Sequence, residues 1–305
     1  QGVEGAGGQM VASTSSHYPF YTVVLPAGGV GGGVDILCDT MCNGPPRAEG
    51  WEKDRRGIWR ERDMGQDDPD RRSSRRLFES AYQVSPYRHP VIGYKDIFEK
   101  FTREDLLDYY RLMYAPNNLF FVVVGDIDSE AVEAQIRGAF STVKRGAIPP
   151  SVLPSEPPQT GPRIVEEPGV VELCRAHLAW HIPHALHPDI PVLGVISGIL
   201  GSGRSSRLYR KIREEMGLVQ AVDSWIYAPG EQGLFGVSAE IEKEKYEEAI
   251  RSILLEVEKL RTEPVPLHEL EKVKKRCVVG LLSARKTTSG QATELGGSWL
   301  RAGDL

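Results

Sequence analysis

Apolar and polar residues alternate from Glu172 to Ile182. Cys174, Ala176, Leu178, Trp180 and Ile182 fall on one side, and Leu173, Arg175, His177, Ala179 and His181 on the other. That period of two predicts a strand. Val219–Tyr227 and Gly233–Ile241 read as two more strands. Helical spacing takes over at Asp189–Leu200, at Ser206–Met216 and at Glu244–Arg261. Ser206 is the expected cap of the second of these, and Gly217 its stop. Ala249, Ile250, Ile253, Leu254, Val257 and Leu260 form the expected inward stripe of the third. A last helix begins near Leu267.

The earlier part of the chain reads in the same way. Thr102 and Asp105 form a capping pair, and Leu106, Tyr110 and Met113 follow at helical spacing. That helix must stop before Pro116. Leu119–Val124 (LFFVVV) is wholly apolar and predicts a strand buried on both faces. Gly125-Asp126 turns the chain, and Val132, Ile136 and Phe140 mark the next helix. Gly7–Ala27 reads as strand, turn, strand and helix, and Gly217–Arg261 repeats that order, which hints at duplication. Gly28–Gly33 (GGVGGG) and Asn43–Gly50 (NGPPRAEG) interrupt a helical pattern around Asp35–Met41. A long loop and a local sequence error both fit Gly28–Gly50.

Seven prolines between Pro149 and Pro168 make an extended connector. The expected division is therefore a first domain over 1–148, a linker over 149–168 and a second domain over 169–305. At 305 residues, two domains are the natural division. The fold class expected is α+β, with two similar domains that each pack an antiparallel sheet against helices. A net charge of -5 gives no pull toward nucleic acid or anionic membranes. No apolar run is long enough to span a bilayer. Cys38, Cys42, Cys174 and Cys277 are too sparse for a disulfide scaffold, and Cys38 and Cys42 read as small buried residues. The compartment is left open.

Candidate chemistry is thin. Asp54 and Glu61 are seven apart, two helical turns, so both acids share one side of a helix. Such a pair is at most half a metal site, because zinc takes three or four protein ligands. On its own Glu61 reads as a surface ion-pair residue. His177, His181, His184 and His187 lack a carboxylate at ligand spacing, so structural roles are expected. Gly201–Ser206 (GSGRSS) lacks the ending of a phosphate-binding loop and reads as a helix-opening turn. Arg55, Arg56, Arg60, Arg62, Arg71, Arg72, Arg75 and Arg76 are largely offset by Asp63, Asp67, Asp68 and Asp70, with no aromatic ladder for nucleic acid.

Five segments in order carry a resemblance. They are GGQMVASTS at Gly7–Ser15, WEKDRRGIWRERDMGQDDPDRR at Trp51–Arg72 and YRHPVIGY at Tyr87–Tyr94. The others are YYRLMYAPNNLFFVVVGDID at Tyr109–Asp128 and LGSGRSSRLYRKIREEMGLVQAV at Leu200–Val222. Together they resemble the insulinase / pitrilysin / mitochondrial processing peptidase family of zinc metallopeptidases. The resemblance implies a metalloendopeptidase in which zinc-activated water hydrolyses peptides or unfolded polypeptides. Its zinc ligands are the two histidines of an HxxEH helix and a downstream glutamate, here Glu61. Asp54 falls on a supporting acid. HxxEH is absent from these 305 residues, so the resemblance implies a fragment without that segment or the C-terminal end, inactive alone and with an incomplete zinc site. A peptide substrate would add as a strand at Gln9–Thr14, against Ala12 and Thr14. A second two-domain half is the implied partner, in trans or in the same longer chain. Three departures stand out. Asp54 replaces a longer acid, Val11 replaces an Asn, and His17, Tyr18 and Pro19 replace the usual Asp-x-Thr. They leave open a non-catalytic partner or scaffold subunit of the same fold.

Overall fold

The computed structural model describes residues 2–44 and 48–303. Before the proline-rich segment come α1 (Gly2–Gly5), β1 (Gln9–Thr14), β2 (Pro19–Val24), α2 (Val30–Asn43) and α3 (Trp51–Asp67). Next are α4 (Pro69–Ala81), α5 (Lys95–Lys100), α6 (Arg103–Met113) and α7 (Ser129–Ala139). After it come β3 (Cys174–Ile182), α8 (Ile190–Leu200), a π-helical turn (Tyr209–Glu215), β4 (Ala221–Tyr227) and β5 (Gly233–Ile241). Then α9 (Tyr246–Thr262), α10 (Leu267–Ala284) and α11 (Thr288–Ala302) close the order. Both sheets are antiparallel: a β1–β2 hairpin, and three strands in the order β3-β5-β4.

The three-stranded sheet is covered on both faces. Ala176, Ile182, Val222, Phe235, Val237, Ala239 and Ile241 point to one side. There they meet Leu200 of α8, Leu208 and Ile212 around the π-helical turn, and Ala249 and Ile253 of α9. This is the main core, and it follows the predicted alternation. The opposite face carries Arg175, His177, Ala179 and His181 on β3, and it receives α4 from the other half of the chain. Phe78 of α4 packs edge-on to Tyr227 at 5.1 Å, and Tyr82 edge-on to His181 at 5.4 Å. The Tyr82 hydroxyl donates to the Gln232 carbonyl at 3.0 Å.

The proline-rich segment has no helix or strand, but it is tied down. Glu156 accepts the backbone N–H groups of Gln83, Val84 and Ser85. Burial works against its charge, but these three donors outweigh it and hold the carboxyl below its ordinary pKa. Arg163 donates to the carbonyls of Ser80 and Ala81 and so caps the end of α4. Glu167 pairs with Arg72 and Arg76.

Four expectations change. The glycine-rich run is not a loop: Gly29 opens α2, and Gly31–Gly33 form its first turn. Val34, Cys38 and Met41 are buried one turn apart, and that stripe offsets the glycine cost of about 1 kcal/mol each. Within the remainder of Gly28–Gly50, residues 45–47 lie outside the described residues. Leu119–Val124 is in no ladder, because no strand lies beside it among the described residues. Its side chains still alternate. Phe121 and Val123 join Val132 and Ile136 of α7, while Phe120 and Val122 face Gly296 of α11. Ser206 does not cap with its side chain: its Oγ is buried without a partner, and its backbone carbonyl accepts from Arg210 instead. The helix it opens is π-wound and closes at Gly217, at φ 60°. Leu254 is 44% exposed, so α9 turns Glu256 inward instead.

The Thr102–Asp105 capping box, the helix stop before Pro116, the Gly233–Ile241 strand and the helix from Leu267 appear as expected.

Two substitutions test the packing. A Cβ at Gly32 meets nothing within 4 Å, so Gly32→Ala raises stability by up to about 1 kcal/mol in urea unfolding. A Cβ at Gly236 would lie 2.1 Å from the Trp225 ring, so Gly236→Ala lowers it by about 1–3 kcal/mol. A third tests the connector. Glu156→Ala leaves three N–H groups without their acceptor and lowers the urea midpoint at pH 7 by the equivalent of about 1–2 kcal/mol. With a depressed pKa, the contribution of Glu156 is present above the ordinary glutamate range and fades as pH falls through it.

Candidate functional site

α3 forms from a charged sequence with one aromatic stripe. Glu52 and Asp54 in its first turn suit the positive end of the helix dipole. Asp68 ends it and caps α4 by accepting from the N–H groups of Asp70 and Arg71, with Pro69 at the first helical position. One side of α3 is anchored on α5. Trp59 meets Phe98 edge-on at 5.4 Å, and Arg62 and Lys95 lie over the Trp59 ring at 5.6 and 5.7 Å. Arg55 donates to the Glu99 carbonyl at 2.8 Å.

Asp54 and Glu61 are both exposed on this helix, as the seven-residue spacing requires. Neither side chain has a hydrogen bond or ion pair among the described residues, although Arg55 and Arg62 on the same helix are engaged with Glu52 and Asp63.

β1 is exposed along its whole length and pairs only with β2. Ala12 lies opposite Tyr21, and Thr14 opposite Pro19. Pro19 therefore sits at the first position of β2, where its missing donor ends the ladder. Ser15 shapes the turn by accepting the N–H groups of His17 and Tyr18. The Tyr21 hydroxyl meets that of Tyr114 at 2.9 Å and ties the hairpin to the end of α6. Among the described residues no hydrogen bond or ion pair links Asp54 or Glu61 to β1.

The donor set falls short of a zinc site. No group of three or more His, Cys, Asp or Glu side chains is placed to hold a metal ion among the described residues. His177 is bonded through both ring nitrogens, to Ser238 and Ser73 at 2.9 Å each. His181 donates from Nε2 to the Ala81 carbonyl at 2.9 Å. His184 and His187 stand edge-to-face at 6.1 Å, and His187 Nδ1 accepts from the Asp189 N–H. His177 and His181 thus make hydrogen bonds from β3 to α4 and its end. The place of His177 between two halves of the chain was missed, although His177 and His181 sharing the less apolar face of a strand was a signal.

Residues 100–277 match the family model described as the peptidase M16 inactive domain. An uncharacterised zinc protease from Streptomyces coelicolor is 29% identical over 244 residues, covering 78% of this chain and 53% of that protein. A zinc protease from Helicobacter pylori is 27% identical over 278 residues, covering 88% and 62%. The chain thus spans about half to three-fifths of these relatives. A crystal structure of a Helicobacter pylori protease superposes with a TM-score of 0.91 at 26% identity, over 99% of this chain and 74% of that one. A peptidase M16 inactive domain from Pseudomonas fluorescens shares the fold, with a TM-score of 0.84 at 19% identity over 97% and 71%. Among the described residues no helix is long and apolar enough to cross a membrane.

Because one exposed carboxylate cannot hold zinc, the 305-residue chain purified with excess zinc retains far less than one metal per molecule after dialysis, and hydrolyses no peptide. Elemental analysis and a fluorogenic peptide assay check this. Stoichiometric zinc would redirect the search to the histidines of β3 and the turn after it.

Proposed function

This chain belongs to the family of the peptidase M16 inactive domain, and from that premise we propose that it is part of a zinc-dependent metalloendopeptidase. It would supply one carboxylate ligand and the peptide-binding strand. The observation that carries the reading is Glu61, an exposed acid with no hydrogen bond or ion pair among the described residues, on a helix whose other side is anchored. A carboxylate left free in that way is open to a ligand. Asp54, two turns earlier on the same side, supports the charge there. The relatives named zinc proteases agree with this assignment.

β1 supplies the second part. Its free edge and exposed side chains suit an extended peptide added as a further strand, with Ala12 and Thr14 beneath it. Main-chain bonds along such an edge read backbone rather than side chains, which fits an unfolded polypeptide as substrate. The chain divides into two domains of one type at Pro149–Pro168, and a second half completes the peptidase, in trans or in the same longer chain. The remaining zinc ligands lie outside these residues, so no catalytic step is assigned to side chains of this chain.

One observation favours a different reading, a non-catalytic partner subunit. The matched family model is of the inactive type, and the described residues hold no complete metal set. One variant separates the two. In the longest natural protein that contains this sequence, Glu61→Gln lowers bound zinc and peptide hydrolysis by at least about 100-fold, with the melting temperature unchanged, if Glu61 is a ligand. Zinc and activity that survive the change remove Glu61 from the site, whereas an unmodified protein with neither zinc nor activity is the outcome that the partner reading expects.

A further inference from the structure

We propose that the seam between α4 and the three-stranded sheet is a proton-operated latch, closed while His177 is neutral and loosened when its ring takes up a second proton. The hydrogen bonds across the seam run in one direction. The Trp225 indole N–H, which can only donate, bonds Ser238 Oγ at 2.8 Å. Ser238 is then free to donate its own proton to His177 Nδ1 at 2.9 Å. With Nδ1 accepting, the ring proton sits on Nε2 and is donated to Ser73 Oγ of α4 at 2.9 Å. Ser73 passes its proton to the Asp70 carbonyl at 3.1 Å. Each donor finds an acceptor only if the ring is neutral. A proton on Nδ1 takes away the acceptor of the Ser238 hydroxyl proton and places a charge inside the seam.

The charged groups around the ring do not rescue it. On α4, Asp70 pulls the ring toward protonation, but its carboxylate is engaged by Arg175 of β3. Arg72 and Arg76 turn to Glu167, and Arg75 to Glu79. On β5, Glu240 stands opposite Arg175 in register. On β4, Asp223 stands opposite Ser238 in register, and burial of its carboxyl raises its pKa and so works against the charge that would favour a protonated ring. Burial is the larger effect and holds the His177 pKa below the usual histidine value. His181, four residues along on the same face, has a buried Nδ1 without a partner among the described residues.

The sign follows from this. The unfolded ring takes a proton near about pH 6.5 and the folded ring only lower. The latch is at full strength above that pH and weakens as pH falls below it, by at most about tenfold per pH unit in the ratio of closed to open forms. The seam therefore opens more often in mild acid than at neutral pH.

Hydrogen exchange of the full chain at pH 7.5 and 5.5, corrected for intrinsic rates, tests this. Amides of α4 and β3 are expected to lose up to about tenfold protection, while those of α9 in the main core stay unchanged. In His177→Gln the side-chain amide keeps one acceptor and a donor but does not titrate, so the loss falls below about twofold. Equal loss in both proteins, or none in the unmodified one, overturns the latch. An NMR titration of the His177 ring in the unmodified protein decides the matter even if the variant fails to fold. A ring that titrates at or above about pH 6.5 overturns it as well.

Discussion

The contact on which the rest of the structure depends is α4 laid across the second face of the β3-β5-β4 sheet. A sheet with one apolar face buried still leaves its other face to water or to another element. Here that element comes from the far side of the proline-rich segment. Aromatic edges from Phe78, Tyr82 and Tyr87 supply the area, and the Ser73–His177–Ser238 bonds supply the register. Such a mixed seam tolerates little displacement, since each polar group inside it loses its partner if the helix slides.

The connector reinforces the same contact. Glu156 holds the chain just after α4, Arg163 caps the helix end and Glu167 binds its outer arginines. A proline-rich segment that sequence composition casts as a spacer is here a strap along one helix. The exchange also runs the other way. α11, from the second half, lies against Phe120 and Val122 of the first. Each half thus contributes a helix to the other.

The candidate site contrasts with this packed seam. β1 and the acid side of α3 are exposed, and Asp54 and Glu61 have no hydrogen bond or ion pair among the described residues. Side chains inside a core are chosen by their neighbours, whereas these remain available to a ligand. The anchoring of Trp59 on Phe98 explains how the helix that bears them is held.

Local physics was legible in the chain. The alternation of β3, the capping box at Thr102–Asp105, the glycine stop at Gly217 and the common side of Asp54 and Glu61 all follow from short-range spacing. The candidate site came only from the resemblance of its motif, since an acid on an arginine-rich helix looks like any surface residue. Tertiary structure decided what depends on distant partners. It made a helix of the glycine-rich run because Val34, Cys38 and Met41 found a core. It left Leu119–Val124 without a ladder because backbone pairing requires a neighbour that composition cannot supply. It set His177 between two serines, 104 and 61 residues away in sequence. No pattern along one segment encodes such a contact, because its energy exists only once both halves are folded together.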